Sequence, residues 1–168
     1  HLFLGCTNLK SLDLSSWNTN KINNMFCMFQ FCESLTSIDL SGFRAGSAWC
    51  IENMFNGCIN LEEVNLSNFG ISNEGFELSD NAFQNCNKLT TLDVSGFDTN
   101  IVTDMLVMFH ACTTLTSLDS MQNISTNLNL ESTSLDVASI LDVIDNLTTF
   151  QNQAFRTLTL GSTLLAKL

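Results

Sequence analysis

The 168-residue chain contains no proline and no tyrosine. An ordinary globular sequence uses proline in its turns. Its absence beside thirteen phenylalanines points to one template copied several times, because a repeat multiplies whatever its template holds. Basic residues are also scarce, six Lys and Arg against seventeen Asp and Glu, for a formal charge of -11. That balance repels phosphate backbones and anionic bilayers, so neither nucleic acid nor direct membrane insertion is expected. No run of 18 apolar residues is present, which excludes a transmembrane helix of ordinary length. No leader is visible, but the chain starts at His1 in the middle of a repeat and reads as a piece of a longer protein. The missing leader therefore carries no information on localisation. There is no nucleophile elbow, no phosphate loop and no His-Glu-x-x-His, and only two histidines. An enzyme is not expected.

What is present is a period. The kernel Met108-Phe109-x-x-Cys112-x-x-Leu115-x-x-Leu118-Asp119 recurs as Phe3…Cys6…Leu9…Leu12-Asp13, Phe29…Cys32…Leu35…Ile38-Asp39, Phe55…Cys58…Leu61…Val64-Asn65 and Phe83…Cys86…Leu89…Leu92-Asp93. The gaps between cysteines are 26, 26, 28 and 26. Periods in the twenties mark solenoids. Five of the seven cysteines occupy one position of the repeat, between a Phe and a Leu, where a small buried apolar residue fits. Cys27 and Cys50 fall outside it. No Cys-x-x-Cys exists, so metal spacing is lacking. A bridge between neighbouring column cysteines is geometrically conceivable at strand spacing, but the repeat does not need one.

Each repeat reads in three parts. Met25, Met28, Phe29 and Cys32 stand at i, i+3, i+4 and i+7, as do Ile51, Met54, Phe55 and Cys58, and Met105, Met108, Phe109 and Cys112; this spacing predicts a helix of about two turns. Alternation follows, as in Ser11-Leu12-Asp13-Leu14-Ser15, which predicts a strand with one wet face. A return carries a second aromatic, Trp17, Phe43, Phe69 or Phe97, expected in the core. Two extra residues in the third return fall between Gly70 and Asn81. The motif decays after Leu118, where Ser120 replaces a core Leu and Asn123 an aromatic. Leu128-Asn129-Leu130 suits one more strand. Ser134 to Asn146 is predicted to be the longest helix, facing inward through Val137, Ile140, Leu141 and Ile144, with a capping box at Thr133-x-x-Asp136. A polar loop over Thr148 to Gln153 and a final strand over Arg156 to Gly161 are expected next. The reading is an α/β solenoid over residues 1–120, with parallel strands on one face, short helices on the other, and a helix-strand capping unit over 121–168 of the same domain.

The repeat resembles the BspA-like leucine-rich repeat family of bacterial surface proteins. The residues that carry the resemblance are Leu115-Thr-Ser-Leu118-Asp119, Leu92-Asp-Val-Ser-Gly-Phe97-Asp-Thr-Asn100 and Val102-Thr-Asp-Met105-x-x-Met108-Phe109-x-x-Cys112. It covers about residues 2 to 120. The tail from Thr157 to Leu168 is similar to endings of related repeat proteins of gut bacteria and their phages. The resemblance implies a leucine-rich repeat fold and a surface-exposed, non-catalytic module for recognition or adhesion, extracellular or on the cell surface, with a protein or glycan as partner and no cofactor. A structural or decoration domain of a phage particle or cell-surface assembly is the alternative.

One constellation has a claim on function. Asp13, Asp39, Asn65, Asp93 and Asp119 form a column on the wet strand face, beside Ser11, Ser37, Glu63, Thr91 and Ser117. Carboxylates at about 5 Å repel by roughly 3 kcal/mol at an effective dielectric near 20. Flanking hydroxyls, raised pKa values or bound calcium would relieve this. His110 stands where Gln30, Asn56 and Gln84 stand in other copies, so a solvent-facing polar residue is expected there.

Overall fold

A computed structural model of the chain describes residues 1–44, 48–70, 80–96, 102, 104–121, 124–147 and 157–168. It is a repeat fold with short strands and few helices. The elements in order are β1 (Ser37–Asp39), β2 (Glu63–Asn65), β3 (Thr91–Asp93), β4 (Ser117–Asp119), β5 (Leu128–Asn129), α1 (Val137–Asp145), β6 (Leu158–Thr159) and α2 (Gly161–Leu165). The strands pair in parallel as β1 with β2, β3 with β4 and β5 with β6. Ile38 lies opposite Val64, and Leu92 opposite Leu118. The three-residue strands β1 to β4 each bury their middle residue, as alternation requires. Between β2 and β3, where the spacing lengthens from 26 to 28 residues, the two strands lie side by side without a described ladder.

The predicted short helices are not helices. Met25, Met28, Phe29 and Cys32 are buried as expected, and so are their counterparts from Ile51 and from Met105. The backbone that presents them is a run of turns. Gly5, Phe31, Gly57, Asn85 and Ala111, the residues just before the column cysteines, all have φ between +59° and +77°. A left-handed residue cannot continue a right-handed helix. Instead the chain alternates its donors. Met28 and Cys32 donate N–H groups to the carbonyls three residues back, at 3.1 Å each, and close turns. Phe29 and Phe31 donate to Met54 and Asn56 of the next repeat, at 2.9 and 2.8 Å. The same two cross-repeat bonds recur from Phe3 and Gly5, from Phe55 and Gly57, and from Phe83 and Asn85. The side of the repeat opposite the strands is thus a parallel hydrogen-bonded ladder of turns, and it continues across the 28-residue spacing.

Further differences concern the ends. Ser11 to Ser15 forms no described strand, although Leu14 is buried; at the outermost repeat the stretch has a neighbour on one side only. Trp17 is 38 % exposed there, whereas Phe43 and Phe69 are fully buried; Phe97 lies outside the described residues. At the other end, α1 begins at Val137, capped by Asp136, whose carboxylate accepts the N–H of Ser139 at 2.8 Å. The cap is therefore three residues later than the predicted box. The buried face is Ser139, Ile140 and Val143, and Val137 and Leu141 are exposed. Ser139 turns inward because its hydroxyl accepts the N–H of Leu118 in β4. The final strand is β6 alone; Gly161, at φ +67°, opens α2 rather than ending a strand. Arg156, the loop over 148–153, Asn123, and Glu74 and Glu77 of the insertion lie outside the described residues. Ser120 adopts φ +62°, and the following Met121 is buried.

Candidate functional site

The outer strand face is built by alternation. In β1 and β3 the first and third residues, Ser37 with Asp39 and Thr91 with Asp93, are exposed. Glu63 and Asp119 are exposed, and Asn65 and Ser117 are half-buried. Ser11 and Asp13 are exposed without a strand beneath them. The register sets Ser37 beside Glu63, Asp39 beside Asn65, Thr91 beside Ser117 and Asp93 beside Asp119. A hollow of about 180 Å³ opens between the first two copies, lined among others by Asp13, Ser15, Asp39 and Ser41.

The column has a local task. The side-chain oxygens of Asp13, Asp39, Asn65 and Asp93 accept the backbone N–H two residues on, from Ser15, Ser41, Ser67 and Ser95, at 2.9, 2.8, 3.1 and 2.8 Å. An Asx side chain in this geometry stands in for a backbone turn and ends the strand. Asn129 repeats it with Glu131 at 2.9 Å. Asp119 differs: both its oxygens accept from the Ser117 hydroxyl, at 2.9 and 3.0 Å. The pKa of Asp13 is lowered, first by the N–H of Ser15 and then by its hydroxyl. That of Asp39 is lowered by the Ser41 hydroxyl and then the Ser41 N–H. Raised values, one of the expected remedies for crowding, are thus reversed at these two positions. Both carboxylates face solvent, so the bonds that favour the charged form outweigh desolvation.

The other expected centres of chemistry are packed away or plain. Cys32, Cys58, Cys86 and Cys112 are buried free thiols. Each donates to the carbonyl of the column Phe in the preceding repeat: Phe3 at 3.2, Phe29 at 3.1, Phe55 at 3.3 and Phe83 at 3.0 Å. Burial pushes Cys32 up to about 11, and Cys58 and Cys112 to about 12. Cys86 is raised well above 9.0 for the same reason. Such thiols are poor nucleophiles and poor metal ligands. Cys27 and Cys50, outside the column, are buried too, and Cys6 is exposed. His110 is exposed, as its repeat siblings suggested, whereas its sibling Asn56 is buried within a side-chain amide network with Asn53, Gln84 and Asn85. Among the described residues no three His, Cys, Asp or Glu side chains gather as a metal site.

One feature escaped the reading of the strands. A shallow groove of about 370 Å³ is lined by Lys10, Ser34, Thr36, Asn60 and Lys88. These residues precede the strands by one or three positions. The signal was available: Lys10 shares its repeat position with Thr36, and Lys88 shares its own with Ser34 and Asn60.

Residues 49–161 match the family model described as BspA type leucine rich repeat region (6 copies). Residues 1–75 match the one described as Mycoplasma protein of unknown function, DUF285. No curated protein and no solved structure matches the chain.

Proposed function

The chain belongs to the BspA-type leucine-rich repeat family, and from that premise we propose that it is a recognition or adhesion module which grips a protein or glycan partner through its outer strand face. Leucine-rich repeat families are generally non-catalytic, and BspA-type members are typically cell-surface and often protein-binding. No helix among the described residues is long and apolar enough to cross a membrane. In this reading the copies up to residue 120 stack as a solenoid, and residues 121–168 close its last edge as a capping unit of the same domain. An uncovered sheet edge is an aggregation hazard, which gives α1 and the strands around it a reason to be there.

The observation that carries the proposal is the polar column itself, exposed except at the half-buried Asn65 and Ser117. Ser11, Asp13, Ser37, Asp39, Glu63, Asn65, Thr91, Asp93, Ser117 and Asp119 lie on repeat positions that the core does not use. Hydroxyls and fixed carboxylates at regular strand spacing suit the amides and hydroxyls of a partner, and the cooperation of several weak contacts suits a surface rather than a pocket.

The test replaces Asp39, Asp93 and Asp119 together by Asn. At 39 and 93 asparagine keeps the side-chain oxygen that ends the strand, as Asn65 does, at 119 it keeps an oxygen for the Ser117 hydroxyl, and at all three it removes the charge. Wild type is expected to retain members of a host-protein and neutral-glycan array that the triple variant releases, with both proteins melting together. Equal retention by the two removes the strand face as the binding surface.

A further inference from the structure

We propose that the groove lined by Lys10, Ser34, Thr36, Asn60 and Lys88 is a subsite for an anionic saccharide lying across the repeats. The proposal rests on the recognition reading above and names a ligand class that the strand face does not predict.

Three observations carry it. First, the residues that line the groove are two lysines, a serine, a threonine and an asparagine, with no acidic residue among them. Second, only six basic residues exist in a chain of charge -11, and two of them converge on this groove. Lys167, by contrast, spends its ammonium on the carbonyls of Ser134 and Leu135, at 2.8 and 2.6 Å. Neither Lys10 nor Lys88 has an ion-pair or hydrogen-bond partner for its ammonium among the described residues, and the Ser34 and Thr36 hydroxyls are likewise free of described partners. Third, the order of the lining is ligand-like. Lys10 comes from the first copy, Ser34 and Thr36 from the second, Asn60 from the third and Lys88 from the fourth. Copies about 4.8 Å apart put the two lysine backbones about 14 Å from each other, with the neutral residues between them and flexible stems long enough to bring either ammonium to a ligand there.

An extended chain with anionic groups near its ends and hydroxyls between fits that order. Carboxylate or sulfate groups would take the ammoniums, and ring hydroxyls would exchange hydrogen bonds with Ser34, Thr36 and Asn60. Asn60 is already held in place, because its Nδ2 donates to the Glu33 carbonyl at 2.8 Å. A saccharide is favoured over an acidic peptide because a peptide brings few hydroxyls to meet the groove's own. The acidic remainder of the protein opposes any anion at long range. Exposed Glu62, which shares the repeat position of Lys10 and Thr36, opposes it locally. Binding is therefore modest in strength and carried by the two lysines.

The experiment measures binding of the intact chain by calorimetry to four probes: a uronic-acid tetrasaccharide, its carboxyl-reduced neutral counterpart, a sulfated tetrasaccharide and a tetraglutamate peptide. One or both acidic saccharides are expected to bind at least about tenfold more tightly than the neutral one and the peptide, and to weaken as salt rises. Lys10→Gln with Lys88→Gln is expected to abolish that preference at unchanged melting temperature, and Glu62→Gln to strengthen binding several-fold. Equal binding of the neutral saccharide, equal binding of the peptide, no binding of either acidic saccharide, or indifference to the two lysine substitutions each overturns the subsite. The array with the Asp→Asn triple variant is scored separately. Retention of neutral partners through the strand face while all four probes fail leaves the recognition reading standing without this groove; loss of both removes both.

Discussion

Five residues of four types, Gly5, Phe31, Gly57, Asn85 and Ala111, hold one left-handed backbone conformation. For an L-residue that conformation is costly, by about 1 kcal/mol or more, and glycine adopts it freely. Ala111→Gly is accordingly expected to stabilise the fold by about 1 kcal/mol, read as a higher urea midpoint. Gly57→Ala goes the other way, since its new methyl carbon would lie 2.3 Å from Cδ1 of Phe31. The cysteines make a second prediction at this scale. Burial holds Cys58 and Cys112 near 12 when folded, against an ordinary 9.0. The neutral thiol favours the folded state, so this contribution is complete below pH 9. It is lost as pH rises, because the unfolded chain ionises first. The urea midpoint is expected to fall between pH 8 and pH 10.5, and to fall less in a variant with Cys58→Ala and Cys112→Ala. Parallel losses in the two proteins would show that the thiols are not responsible.

At the scale of the element, the strands and the turns opposite them were unequally legible. Strands were readable because period-2 alternation has one structural solution once a face is buried. The turn ladder was misread because Met25, Met28, Phe29 and Cys32 satisfy helical spacing, and the same residues are buried by a different backbone. The corrective signal was in the sequence: glycine twice and asparagine once in the column before the cysteines, where a helix has no use for them. The candidate column had a hidden duty as well. Its four aspartates are exposed as alternation predicts and Asn65 is half-buried, but at Asp13, Asp39, Asn65 and Asp93 the bond to the N–H two residues on ends the strand stretch, a role that depends on local geometry. Asn65→Ala is expected to cost about 1 kcal/mol through the lost bond, whereas Asp39→Asn leaves stability unchanged. Equal effects on the thermal midpoint would mean that the charge, not the turn, sets the value of the column.

For the whole molecule, the longest-range feature is a stack of five rings. Phe3, Phe29, Phe55, Phe83 and Phe109 lie nearly parallel, with centroids 5.3, 5.4, 5.5 and 6.0 Å apart. It runs through every kernel copy and crosses the 28-residue spacing, where the strand ladder has its break. Phe55 contacts a ring on each side, so Phe55→Ala is expected to cost 3 to 5 kcal/mol, roughly, and to lower the steepness of urea unfolding by uncoupling the copies on either side. An unchanged slope would place the coupling in the hydrogen-bonded turns instead. The sequence by itself determined the period, the buried positions of the repeat kernel and the polar column, because each is a repeat of residue type at fixed spacing; outside the kernel, burial did not follow type, and Trp17, Val137 and Leu141 are exposed. Only the tertiary structure decided how the backbone carries those residues. The left-handed residue before Cys6, Cys32, Cys58 and Cys86 sends its N–H to the next copy, and that choice depends on a neighbouring copy being there to accept it. It also decided that two lysines from the first and fourth copies line one groove, since residues 78 positions apart along the chain can share a groove only when the copies between them are stacked.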